Sequence, residues 1–196
     1  MNKINFSAYQ PIADIQDNIV FANNGNVVFC YKGNLPEIYS LSEKDFEDMH
    51  SAWFQALKSF PVGTVVHKQD IYLKKSYTSE KLPNTTFLEK ATHEHFKGRG
   101  YIEHRCYLFF ILTKNKALNN PKYVNPFSKV SKGIVQKMDD NIKSFANSVS
   151  DSVSFINNSR KMDFVSLKAG DIQQLTNAHF NGFNEGYDTD ILLDKK

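Results

Sequence analysis

Residues 35–72, LPEIYSLSEKDFEDMHSAWFQALKSFPVGTVVHKQDIY, decide the fold class, because they spell a capped helix held between two extended segments. Ser42 is placed to cap that helix. Asp45, three residues on, is a short-armed version of the acid that completes a capping box. Phe46, Met49, Trp53, Ala56, Leu57 and Phe60 then recur at helical spacing, while Glu43, Lys44, Glu47, Asp48, Gln55 and Lys58 take the other face. Pro61-Val62-Gly63 closes the helix. Thr64 to Lys75 reads as a strand, with Val65, Ile71 and Leu73 on one face and Val66, Lys68, Asp70 and Tyr72 on the other.

On the N-terminal side, residues 18–32 read as a hairpin, NIVFA and NVVFCYK joined through Asn23-Asn24-Gly25, residue types that tolerate the positive φ of a tight turn. Lys32-Gly33-Asn34-Leu35-Pro36 is expected to end the second strand, because Gly and Pro break a ladder. On the C-terminal side, Thr86 and Glu89 form a T-x-x-E capping box that opens a helix to about Lys97. His104 to Thr113 is a strand apolar on both faces, as a central strand covered on both sides would be.

The Asn- and Pro-rich stretch 115–127 is expected to be an exposed loop. Ile134, Met138, Ile142, Phe145, Val149, Val153 and Ile156 carry a helical stripe for about six turns. Phe164 to Leu167 makes a short strand, and Ile172, Leu175 and His179 mark a last helix that stops near Gly182.

The order is β, β, α, β, α, β, α, β, α. Setting aside the first strand and the helix at 86–97 leaves βαβ over 26–75 and βαβ over 103–168. That is the split βαβ pattern of an α+β, ferredoxin-like sheet, whose helices cover one face. A single domain is expected over 1–182, with 183–196 a linker-like tail.

Composition is consistent with one Phe-rich core: 196 residues, 41% hydrophobic, with sixteen Phe. The longest apolar run, Tyr107 to Leu112, is far short of the ~18 residues of a membrane span, and MNKINFSAYQ lacks the apolar core of a secretory signal. These features place the chain in the cytoplasm. Cys30 and Cys106, both in strand-like runs, read as reduced, buried thiols, with a single disulfide as the alternative.

Nucleotide hydrolysis by a P-loop needs G-x-x-x-x-G-K-[ST], and the sequence contains no Gly-Lys pair, so no ATP chemistry is expected of this chain itself. His93, His95, His104 and Cys106 are residue types that ligate zinc, but His93 and His95 stand two apart on a predicted helix and diverge, so no metal site is expected. His67 and Gln69 alternate onto one face of their strand and Asp70 onto the other, which separates the nearest His-Asp pair. Residues 114–143 hold seven lysines against Asp139 and Asp140, among them Lys129, Lys132 and Lys137, whereas residues 1–60 hold seven acids against four lysines. Such a basic run is either solvated or contacts DNA, an anionic membrane surface or an acidic protein patch. EHRCYLFFIL has the aromatics of an RNA-reading strand but not its glycines. Tyr107 and Phe109, with Phe29 and Tyr31 if their strands are adjacent, are expected to make an apolar sheet face that docks another domain or subunit.

The LPEIYSLS lead into the helix, MHSAW within it, the VHKQD strand and HFKGRGYIEHRCYLF together resemble the N-terminal domain of the TraG-type ATPases of Bacteroidetes conjugative transposons, relatives of the large ATPases of type IV secretion. The likeness covers roughly residues 10–115. It implies a non-catalytic docking and assembly domain, peripheral to the inner membrane, that contacts secretion-channel proteins and its own ATPase domain. ATP and Mg would belong to a nucleotide-binding core C-terminal to Lys196, and no catalytic residue carries over. Two other readings stand beside it: a DNA- or RNA-binding adaptor using the lysine-rich segment 114–143, and a small free-standing enzyme built on His67 with Asp70 or on the His93 to Cys106 group.

Overall fold

Strand β3 (Val27–Asn34) is the hub of a six-stranded, mostly antiparallel sheet. Strand β5 (Gly100–Leu112) pairs along one of its edges. Two short strands share the other, β2 (Ile19–Ala22) beside its first half and β6 (Asp163–Ser166) beside its second. β1 (Ile12–Gln16) extends the sheet beyond β2, and β4 (Thr64–Ser76) extends it beyond β5. Helix α1 (Glu43–Lys58) links β3 to β4, and α3 (Asp140–Asn158) precedes β6, so the path β6–β3–β5–β4 is the α+β, split βαβ arrangement of a ferredoxin-like sheet. Helix α2 (Phe87–Phe96) lies between β4 and β5 in sequence, and α4 (Ala169–Asn181) follows β6.

The computed structural model describes residues 11–78, 86–113 and 140–182. The described residues fall into two compact units, one of residues 11–69 with 106–113 and 140–182 and one of residues 70–78 with 86–105, with β4 and β5 each continuing from the first into the second. The expected linker at 183–196, the loop at 115–127 and the first turns of the Ile134–Ile156 stripe lie outside the described residues.

In the first unit the register of β3 against β5 sets Phe29 opposite Phe110 and Tyr31 opposite Leu108, on the face that α1 and α3 cover. Phe145 of α3 meets Phe29 edge-on at 5.6 Å, and Phe60, just past α1, lies 5.1 Å from Phe110. The two helices touch through small residues. Ala56 and Ser152 are fully buried, and the Ser152 hydroxyl sits 2.8 Å from the Ser148 carbonyl, 3.0 Å from the Ala56 carbonyl and 2.8 Å from the Ser59 hydroxyl. A buried hydroxyl so placed keeps its hydrogen bonds while letting the helix backbones approach.

The opposite face has its own smaller buried group, Val20, Cys30, Tyr107, Leu167 and Ile172. Helix α4 lies against β1, and its His179 reaches β4, where Nε2 stands 2.8 Å from Gln69 Nε2. Helices therefore flank both faces, not one as the sequence pattern suggests. The two cysteines fall on opposite faces, since Cys30 pairs with Phe109 and Cys106 with Gly33, so the sheet itself stands between them and rules out the disulfide alternative. Burial pushes the Cys30 thiol up to about 12, which keeps it protonated and inert at neutral pH.

Two local expectations change. Strand β1 is additional: Asp17, at φ 51°, turns the chain so that Gln16 pairs with Ile19, and a hairpin turn without glycine is hard to see in sequence. Gly33 does not end β3. It pairs with Cys106 on one side and Phe164 on the other, and the Phe164 ring occupies the space a side chain would need. The predicted caps hold: Ser42 with Asp45 and Thr86 with Glu89 both form reciprocal capping boxes.

Asp45 also binds Lys161 at 2.8 Å, tying the start of α1 to the turn after α3. That ion pair, with the Ser42 backbone and hydroxyl, holds the Asp45 carboxyl down to about 2. In the second unit, Arg105 and Lys75 hold Glu103 down to about 2 in the same way. Both acids are held below their ordinary values of about 4, so each stabilises the folded state fully above pH ~4 and loses that contribution as pH falls toward 2. Thermal midpoints measured from pH 6 to 2 should drop most steeply below pH ~4. Asp45→Asn should flatten that drop for the first unit and Glu103→Gln for the second; an unchanged profile in both variants would contradict these assignments.

Candidate docking surfaces

The arc of α1 that meets the core is narrow. Met49, Trp53 and Ala56 pack against it, spanning roughly 60° of the helix at ~100° per residue, and Phe60 just past the helix continues the contact. Phe46 and Leu57, expected from their spacing to belong to the same stripe, lie outside that arc and are 46% and 47% exposed. Phe54 is further round and 61% exposed, and His50 stands exposed between them. The four form one strip at positions i, i+4, i+8 and i+11. Just before the helix, Ile38 and Tyr39 in a 3-10 turn are exposed as well. Across residues 37–51, Glu37, Glu43, Asp45, Glu47 and Asp48 face a single cation, Lys44, and among the described residues no cation pairs with Glu43, Glu47 or Asp48. The surface is apolar at its centre and acidic at its margin.

The second unit has a different character. None of its described residues is buried, while Tyr72, Phe87, Leu88, Phe96, Tyr101 and Ile102 are all exposed. It is held by strand pairing and surface contacts. His104 Nε2 lies 2.8 Å from Asp70 Oδ1 and stacks on Tyr72 at 4.7 Å; Glu103 takes both Arg105 and Lys75; Tyr77 bonds His93 and packs on Phe96. With no buried side chain among its described residues, the unit gains little from the hydrophobic effect on its own, and its exposed rings offer that gain to a partner.

The docking face expected from Phe29, Tyr31, Tyr107 and Phe109 does not exist. The four are split between the two faces of the sheet, because Phe29 pairs with Phe110 and Cys30 with Phe109, a register that sequence alternation within each strand does not specify. Phe29 is 3% exposed beneath Phe145, and Tyr31 lies edge-on to Phe110, on the α1 and α3 side. Tyr107 is 7% exposed and stacks along Phe109 on the other side. Lys129, Lys132 and Lys137, with the possibility of nucleic-acid contact they carried, lie outside the described residues.

The polar candidates disperse. His67 leans on the Phe109 ring at 5.7 Å and Gln69 meets His179, whereas Asp70, on the other face, pairs with His104. A His-Asp pair is thus present, but its histidine comes from the neighbouring strand, a partner that only strand pairing reveals. His93 meets Tyr77, His95 lies against Phe96 and Cys106 is buried in the core, so the four candidate zinc ligands do not converge. Among the described residues no group of three or more His, Cys, Asp or Glu is placed to hold a metal ion. A cavity of about 590 Å³ in the first unit is lined by Ser59, Phe60, Ser144, Phe145 and neighbours, and none of its lining residues is an acid, a base or a cysteine. No helix of the described residues is long and apolar enough to cross a membrane.

The family model described as "Domain of unknown function, B. Theta Gene description (DUF3875)" matches residues 2–51, about a quarter of the chain. The matched stretch takes in the first three strands, the exposed Ile38 and Tyr39, and the half of α1 that carries Phe46 and His50. No curated protein matches the sequence.

Proposed function

We propose that this chain is a non-catalytic docking and assembly domain of a conjugative-transfer ATPase of the type IV secretion class, holding channel proteins together at the inner membrane. ATP and Mg are handled by a nucleotide-binding core outside this domain. One observation carries the docking part of this reading: α1 presents Phe46, Phe54 and Leu57 to solvent on a helix whose core contacts are already complete. The assignment to conjugation rests on the resemblance of the words LPEIYSLS, MHSAW, VHKQD and HFKGRGYIEHRCYLF to the TraG-type N-terminal domain. The nearest candidates for chemistry, Asp70 with His104 and Gln69 with His179, each bridge two elements, which is work a scaffold needs.

The test is conjugative transfer by an element whose gene carries Phe54→Ser with Leu57→Ser, and separately Phe87→Ser with Leu88→Ser. Each pair should lower transfer at least tenfold while leaving the circular dichroism spectrum and thermal midpoint of the purified chain unchanged, since each residue is exposed. Wild-type transfer with both pairs in place would defeat the proposal.

A further inference from the structure

We propose that the α1 strip seats a cationic amphipathic helix presented by a partner protein. The proposal deepens the docking reading and rests on it. Phe46, His50, Phe54 and Leu57 run along about 16 Å of helix at ~1.5 Å per residue, one exposed ridge of i, i+4 and i+3 steps. A partner helix laying an apolar face along such a ridge buries the exposed rings and inserts its own side chains between them, the packing by which helices recognise one another.

The sign of the partner's charge follows from the margin. Glu43 and Glu47 lie on the same flank of α1 as Phe46 and Phe54, in the first and second turns of the helix. Of the two acids in the first turn, Asp45 is engaged in the capping box and with Lys161, whereas Glu43 has no such partner among the described residues. Glu47 and Asp48 lie beyond that turn. Glu37, exposed beside Ile38 and Tyr39, extends the acidic border past the N-terminus of the helix. Asp45 is already matched by Lys161, which leaves Glu37, Glu43 and Glu47 to set the field beside the strip, against Lys58 at its C-terminal end, while Lys44 and Asp48 lie further round the helix. An anionic partner would meet like charges along this border, so the chemistry selects a helix with lysine or arginine beside its apolar stripe.

Two fluorescent 18-residue peptides serve as probes, one patterned with leucine on one face and lysine on the other, and one with glutamate in place of lysine. Fluorescence anisotropy with the intact chain should show the lysine peptide binding at least tenfold more tightly than the glutamate peptide. Glu43→Lys with Glu47→Lys should reverse the preference, and Phe54→Ser with Leu57→Ser should weaken the lysine peptide at least tenfold. Equal binding of both peptides, still lost on Phe54→Ser with Leu57→Ser, would overturn the cationic partner while leaving the strip as a docking surface. Lysine-peptide binding that the strip substitutions leave unchanged would overturn the seat. Sedimentation equilibrium covers the remaining occupant: a dimer that Phe54→Ser dissociates would give the strip to a second copy of the chain and overturn the proposal.

Discussion

Phe110→Ala should cost about 3–5 kcal/mol of unfolding free energy, the usual loss for deleting a buried aromatic ring, out of a total of roughly 5–15 kcal/mol for a domain of ordinary stability. Phe110 is fully buried at the centre of β5. Its ring lies 5.8 Å from Tyr31 at 83° and 5.1 Å from Phe60, and Phe60 in turn lies 5.9 Å from Phe145 of α3. Removing it opens a space bordered by a strand, a helix end and a second helix, three elements that cannot all relax inward together. Phe109, the next residue, is half-buried on the other face beside Tyr107 and His67. Phe109→Ala should therefore cost less than half as much in the same urea titration. Equal losses would mean that the α4 side is packed as tightly as the α1 and α3 side, contrary to the burial described above.

Gly33→Ala is expected to destabilise the chain by about 1–3 kcal/mol, the cost of overpacking a filled site. A Cβ at Gly33 would run into the Phe164 ring. That ring has little room to yield: Phe164 is buried, Trp53 meets it edge-on at 5.9 Å, and the Asn157 amide holds the backbone on both sides, accepting from Phe164 N–H at 2.8 Å and donating to the Phe164 carbonyl at 3.0 Å. An aromatic ring laid over a cross-strand glycine in this way recovers the packing that glycine forgoes. A double-mutant cycle with Phe164→Leu checks the cause. The alanine should cost clearly less in the Phe164→Leu background, whereas additive losses would show that the contact is not responsible.

Much of this architecture was legible along the chain. Ser42 with Asp45 and Thr86 with Glu89 marked helix starts that the structure keeps to the residue, because a capping box is made within one turn and needs no help from the rest of the molecule. The apolar run around Leu108 and Phe110 marked a strand with neighbours on both sides, and β5 lies between β3 and β4. The docking surface was misplaced for the opposite reason. Phe29, Tyr31, Tyr107 and Phe109 share a face only in a register one residue away from the real one, and that register is set across more than seventy residues of chain. Phe46 and Leu57 carried the period of a core stripe and still face solvent, since period tells which residues lie near a common side but not how wide an arc the neighbours cover.

Local patterns along the chain thus account for the order of elements after β1, the capping boxes of α1 and α2 and the split βαβ pattern, all of which follow from hydrogen bonds and periodicities local to a few turns or one strand. Which aromatic residues are core and which are surface, that Asp70 pairs with His104 and not His67, and that α1 keeps an apolar strip exposed beside its acids all come from tertiary packing. Those outcomes depend on strand register and on the closeness of the α1–α3 approach, where Ala56 meets Ser152. They are properties of pairs of elements distant in the chain, and no local pattern in either element specifies them.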